Sequence, residues 1–170
     1  MKIQQNITNE YLAGFVDGEG SFYIGVVPST ETKSHWQVIH FFKVSQNPKG
    51  RIVLDTLKKK LGTGSIRPNH KDSDDKSLAF VIRDLKSLDE QVIPFFKELL
   101  VIKRHELEQF TRVIELVKRK AHLTKSGIKE ILDIAYSMNT QKRKWTKQRI
   151  LNDISSRIPT DYTPDPANIQ

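Results

Sequence analysis

The chain has 170 residues, 37% hydrophobic and 28% charged, with a formal net charge of +8. That is enough for one globular domain with a buried core, and no apolar run approaches the ~18 residues of a membrane span. Cysteine is absent, which excludes disulfides and thiolate metal sites. Residues 101–149 carry 13 Lys/Arg against 5 Asp/Glu while the remainder balances. This is either a solvated basic face or a surface for a polyanion such as nucleic acid. Residues 1–5 have neither an apolar signal core nor an Arg/Ser-rich presequence.

Thr8 or Asn9 can cap a first helix, with Glu10 in its first turn. The helix is expected to run to about Asp17 and to pack tightly, because Ala13 and Gly14 are small and adjacent. A mid-helix glycine costs roughly 1 kcal/mol against alanine, so a packing reason should offset it. Gly18 and Gly20 then turn the chain into an extended run and leave Glu19 between them, a good place for a metal-binding carboxylate. Residues 21–28 and 35–46 read as strands joined by a polar turn. Tyr23, Gly25, Val27 and Ser29 alternate with Phe22, Ile24 and Val26, so periodicity leaves open which face is covered.

Asn47-Pro48 opens a helix with proline at its first position, Val53, Leu54, Leu57 and Leu61 give it helical spacing, and Gly62 ends it. Residues 63–69 and 77–83 read as a second hairpin around a polar loop. Ser87 and Glu90 have the spacing of a capping box for a helix through about Leu99. Residues 102–122 form a long amphipathic helix with Leu107, Phe110, Val113, Ile114 and Val117 as its stripe, and residues 126–138 form another. A basic stretch follows at 141–149. Residues 1–158 are expected to form one domain and the proline-bearing 159–170 to lack fixed structure. The order predicts an α+β fold with one twisted antiparallel sheet covered by helices on one face.

The run Leu12-Ala13-Gly14-Phe15-Val16-Asp17-Gly18-Glu19-Gly20 resembles, nearly residue for residue, the LAGLIDADG motif of homing endonucleases. The element order over residues 8–138 resembles that family's core, α-β-β-α-β-β-α plus C-terminal helices about a four-stranded, saddle-like antiparallel sheet. The resemblance implies a site-specific double-strand DNA endonuclease that hydrolyses phosphodiesters in a long, pseudo-palindromic target. One motif copy supplies one acid, too little to cut both strands. A homodimer with two motif helices pressed together through Ala13 and Gly14 would bring two Glu19 side chains together. Close carboxylates need cations between them, and oxygen-only ligands suit Mg²⁺; Mn²⁺ is expected to substitute and Ca²⁺ to support binding without cleavage.

In that family the last acid of the motif binds metal and the preceding glycine gives its carbonyl, here Glu19 and Gly18. The resemblance further implies that Gln46 orients water near the scissile phosphate. Lys103, or Arg104 beside it, would place a cation there; Arg51 is a further candidate, and Asp17 is read as closing the helix end. Bases would be read from the strands, by Ser29, Gln37, Lys43, Arg67, Asn69, Ser77 and Arg83, with phosphate contacts from Lys142, Arg143, Lys144 and Lys147. Two rival readings keep the fold: an RNA maturase whose partner is intron RNA, and a catalytically inactive DNA-binding regulator. The joint presence of Glu19, Gln46 and Lys103 favours cutting. Such genes commonly lie in introns of organelle genomes, so an origin in a mitochondrion or chloroplast is expected.

Overall fold

A computed structural model describes residues 6–70, 74–138 and 143–157. The expectations for Lys142 and for the tail at 159–170 lie outside the described residues. The elements in order are α1 (Asn9–Glu19), β1 (Gly20–Pro28), β2 (Trp36–Gln46), a 3₁₀ turn (Pro48–Gly50), α2 (Arg51–Leu61), β3 (Ser65–Pro68) and β4 (Leu78–Ile82). Then come α3 (Leu85–Ser87), a π-helical turn (Leu88–Val92), α4 (Ile93–Phe96), α5 (Arg104–Lys118), a 3₁₀ turn (Ala121–Leu123), α6 (Lys125–Met138) and α7 (Lys147–Ser155). The strands form one four-stranded sheet in the order β1-β2-β4-β3, with β4 antiparallel to both β2 and β3. This is the expected α+β fold. The described residues divide into two compact units, one within residues 6–23 and 40–111 and the other within 24–39 and 112–157.

In the first unit, register decides which face of the sheet is covered. Phe42 lies opposite Ile82 and Val44 opposite Phe80, which in turn faces Ile66. Alternation places these on one side and Lys43, Ser45, Val81, Ser65 and Arg67 on the other. Phe22, Phe42, Phe80, Phe96 and Phe110 are all buried. Their rings pack with centroids 5.2 Å apart for Phe22–Phe42, 5.5 Å for Phe22–Phe110 and 5.3 Å for Phe42–Phe96. The covered face is therefore that of Phe22, and Tyr23 stacks on Phe41 at 4.7 Å on the other. Helix α2 buries Val53, Leu54, Leu57 and Leu61. It ends at Gly62, whose φ of 69° is the left-handed conformation that glycine adopts without strain.

The helix after β4 departs from the capping-box reading. Asp84, not Ser87, is its N-cap, and the Asp84 carboxylate accepts the Ser87 N–H at 2.7 Å. The path then widens into the π turn just before Pro94. Proline has no N–H and its ring crowds the carbonyl four residues back, so a wider turn is one way to carry it inside a helical run.

In the second unit, the hairpin turn is closed by the Ser29 N–H to the His35 carbonyl at 2.8 Å. Helix α6 buries Ile128, Ile131, Leu132 and Ala135, and α7 buries Ile150 and Ile154. Trp145, just before α7, meets Trp36 edge-on at 5.9 Å. Helix α7 sits where only a basic stretch was expected. Thr146 caps it by accepting the Arg149 N–H, and Ile150 and Ile154 share a face at i, i+4 spacing.

Candidate active site and nucleic-acid interface

Helix α1 starts at Thr8, whose hydroxyl accepts the Tyr11 N–H at 3.2 Å. Leu12, Ala13, Val16 and Asp17 are its buried residues. Ala13 is 0% exposed within its own chain, which corrects the expected interface: its methyl already faces the core and cannot meet a second copy. Gly14 and Gly18 are exposed, and a Cβ built on either meets nothing within 4 Å. They share one face at i, i+4 spacing, and nothing among the described residues explains a glycine there. Large apolar side chains stay exposed on Tyr11 (55%), Val101 (78%) and Ile102 (77%).

The helix runs two residues further than expected, so Glu19 is its last residue and not free of it. Gly20 closes it in extended conformation with its N–H on the Val16 carbonyl. Added bulk at Gly20 would fall 2.6 Å from the Val16 side chain, so close packing requires glycine there. Glu19 itself is exposed. The last carbonyls of a helix lack partners within it. Here the Asp17 carbonyl receives the Lys103 ammonium at 2.5 Å. The Asp17 carboxylate accepts the backbone N–H groups of Val101 and Lys103, each at 2.9 Å. Burial pushes this carboxyl up, but the N–H groups of Lys103, Val101 and Ile102, aided by the Lys103 charge, hold it below the usual carboxylate value. Asp17 thus does more than end its helix.

Lys103 directly precedes α5 and its carbonyl accepts the Leu107 N–H at 2.9 Å, so the helix begins after it and not at residue 102. The Arg104 guanidinium turns to the Leu100 carbonyl, and Arg51 pairs with Asp55 at 3.2 Å. Of the three candidate cations, Lys103 is the one brought to the end of α1. Gln46 ends β2, where its Oε1 accepts the Asn47 N–H at 2.7 Å. Its side chain lies over Gly50, where a Cβ would come within 2.3 Å of the Gln46 Cγ.

The open sheet face of the first unit carries Lys43 and Arg67. Arg83 joins it, with its guanidinium 5.4 Å from the Phe41 ring centroid. A groove of about 240 Å³ is lined by Gly64, Ser65, Arg67, Val81, Ile82, Arg83 and Asp84. Asn69 continues the ladder through its N–H to the Ser77 carbonyl at 2.8 Å. Ser77 does not present a free hydroxyl: its Oγ donates to Asp75 at 2.8 Å. In the second unit, Gln37 is exposed, but Ser29 Oγ accepts the Glu31 N–H within its own turn. Arg143 departs furthest from expectation. Its guanidinium donates to the carbonyls of Ala135 and Ile24 and lies 4.6 Å from the Tyr136 ring, so it ties its own chain together and has little left for a phosphate. Lys147 pairs with Asp133, whereas Lys144 is exposed.

Helix α1 thus shows glycine on an exposed face and ends on an exposed carboxylate, and the sheet face of the first unit that carries Lys43 and Arg67 is cationic. A family model described as LAGLIDADG endonuclease matches residues 12–114, and the chain belongs to that family. It is 24% identical over 167 residues to the homing endonuclease I-ApeII of Aeropyrum pernix, covering 96% of this chain and 98% of that protein. It is 29% identical over 140 residues to the probable intron-encoded endonuclease 2 of Neurospora crassa, covering 81% of this chain but only 30% of that longer protein. Among solved structures it resembles the homing endonuclease I-TnaI (TM-score 0.73, 32% identity, 88% of this chain and 97% of that one). It also resembles I-CeuI complexed with DNA (TM-score 0.74, 29% identity, 81% of this chain and 68% of that one). No helix among the described residues is long and apolar enough to cross a membrane.

Proposed function

We propose that the protein is a site-specific double-strand DNA endonuclease that works as a homodimer with a divalent cation held at Glu19. The observation that carries this reading is the end of α1, with its exposed carboxylate and the Lys103 ammonium on the carbonyl two residues before it. The relative I-CeuI is described as a group I intron-encoded homing endonuclease in complex with DNA, which supports duplex DNA as the substrate class. The donors fit a hard cation: Glu19 would give a carboxylate and Gly18 a carbonyl at the negative end of a helix, both oxygen ligands of the kind that Mg²⁺ takes. The described residues contain no group of three or more His, Cys, Asp or Glu that could hold a metal. In a dimer a second Glu19, with substrate phosphate and water, would add oxygen ligands to this one carboxylate.

The dimer face is Gly14 and Gly18, with Tyr11, Val101 and Ile102 as apolar surface. Two helices that meet at glycine can approach backbone to backbone, and a twofold axis there sets the two carboxylates side by side. When bound, the cation neutralises charge at the scissile phosphate and favours a hydroxide nucleophile. Gln46, with its Oε1 taken by the Asn47 N–H, keeps its amide N–H groups for water or phosphate. Lys103 supplies positive charge for the oxyanion that develops on phosphorus. Lys43, Arg67, Asn69, Arg83 and Gln37 read or grip the duplex from the sheet, and Lys144 contacts phosphate. The gene is intron-borne, as the names of several relatives suggest. Residence in an organelle belongs to this proposal rather than to the family, which has an archaeal member in Aeropyrum pernix.

The test is Glu19→Gln. It keeps the size of the side chain and removes the charge, so duplex binding in Ca²⁺ persists and Mg²⁺-dependent cleavage is lost. Metal-dependent cutting by the variant would sink the site assignment.

A further inference from the structure

Asp17 is the only carboxylate among the buried residues described, at 7% exposure. It stands in the last turn of α1, the end of a helix where the macrodipole disfavours negative charge. An acid kept there needs partners, and both its oxygens go to N–H groups 84 and 86 residues away. Lys103 is held by that one residue at both ends: its backbone N–H by the carboxylate, its ammonium by the carbonyl. A lysine side chain is otherwise a flexible stem with a mobile charge. An ammonium has three donors, so the bond to the Asp17 carbonyl leaves two to face a substrate.

We propose that Asp17 is the positioning residue for Lys103, fixing where that ammonium stands relative to Glu19 two residues further along the same helix. The inference rests on the reading of Glu19 and Lys103 given above. Asp17→Asn puts an amide where one backbone N–H now finds an oxygen, so it releases part of the 101–103 segment while nearly keeping the shape.

The test uses the full chain: wild type, Asp17→Asn, Lys103→Met, the double variant and Glu19→Gln. Single-turnover cleavage in Mg²⁺ and duplex affinity in Ca²⁺ are measured for each. Asp17→Asn is expected to slow cleavage by about 10²-fold, the scale of a misplaced catalytic group, with duplex affinity kept. The double variant is expected to be no slower than the slower single variant, since both remove the same ammonium from its place. Losses that multiply, or a wild-type rate for Asp17→Asn beside a dead Glu19→Gln, would overturn this inference alone. A Glu19→Gln that still cuts would overturn the underlying reading as well. Acetylation of the wild-type protein, read by mass spectrometry, needs no variant to fold: Lys103 is expected to react more slowly than exposed Lys58, and equal reactivity would overturn the proposal.

Discussion

Gly14→Ala separates a helix with an open face from a helix that meets its own copy. Gly14 lies inside α1, and a Cβ there meets nothing within 4 Å among the described residues. In an isolated protomer the substitution should therefore stabilise the helix by about 1 kcal/mol, which raises the melting temperature by roughly 2–4 °C in a chain of this size. In the proposed dimer two new methyl groups enter one twofold contact. Overpacking costs about 1–3 kcal/mol per site, so about 2–6 kcal/mol per dimer, a weakening of association between ~30-fold and ~10⁴-fold. Sedimentation equilibrium gives the dissociation constant, and melts at several protein concentrations give the stability. The expected result is weaker association with a protomer no less stable than wild type. Unchanged association together with a raised melting temperature would refute the reasoning, because it would leave Gly14 facing solvent in the dimer.

Two further outcomes follow from the same geometry. The Asp17 carboxyl is held below its ordinary value, so its contribution to stability is present above the unfolded value near ~4 and is lost as pH falls through the lower folded value. Urea midpoints of wild type and Asp17→Asn should converge as the medium is acidified, and a gap that ignores pH would contradict this. Arg143→Ala should destabilise the fold by about 2 kcal/mol, the worth of charged hydrogen bonds to carbonyls. Lys144→Ala should instead leave the urea midpoint in place and lower the slope of log affinity against log salt by about 1. The opposite assignment of the two effects would return Arg143 to the DNA surface.

The motif helix was legible because its chemistry is local: small residues, a capping threonine and glycines after the last turn all lie within a dozen positions. The strands were legible as strands, but not their orientation, since Phe22 and Tyr23 offer apolar rings to both sides. That choice is made by partners far along the chain, Phe96 and Phe110 on one side and Phe41 on the other. The link from Asp17 to Val101 and Lys103 leaves no local trace, because backbone N–H groups as donors have no sequence signature. Ala13 and Arg143 pack against their own chain where an interface role was expected, for a common reason: residue type suggests an interface, while burial depends on where the helix face or loop finally packs. Helix α7 could have been found from Thr146, Ile150 and Ile154, a cap and an i, i+4 apolar pair, beneath the density of charge around them.

The central claim is tested most directly by incubating the protein with a randomised duplex DNA library in Mg²⁺, with Ca²⁺ and chelator controls, and sequencing the cut ends. The account predicts one long, roughly palindromic site with staggered ends, cut in Mg²⁺ and not in Ca²⁺ or chelator. Duplex binding without any cut ends in Mg²⁺ would contradict it and leave a DNA-binding protein on an endonuclease fold.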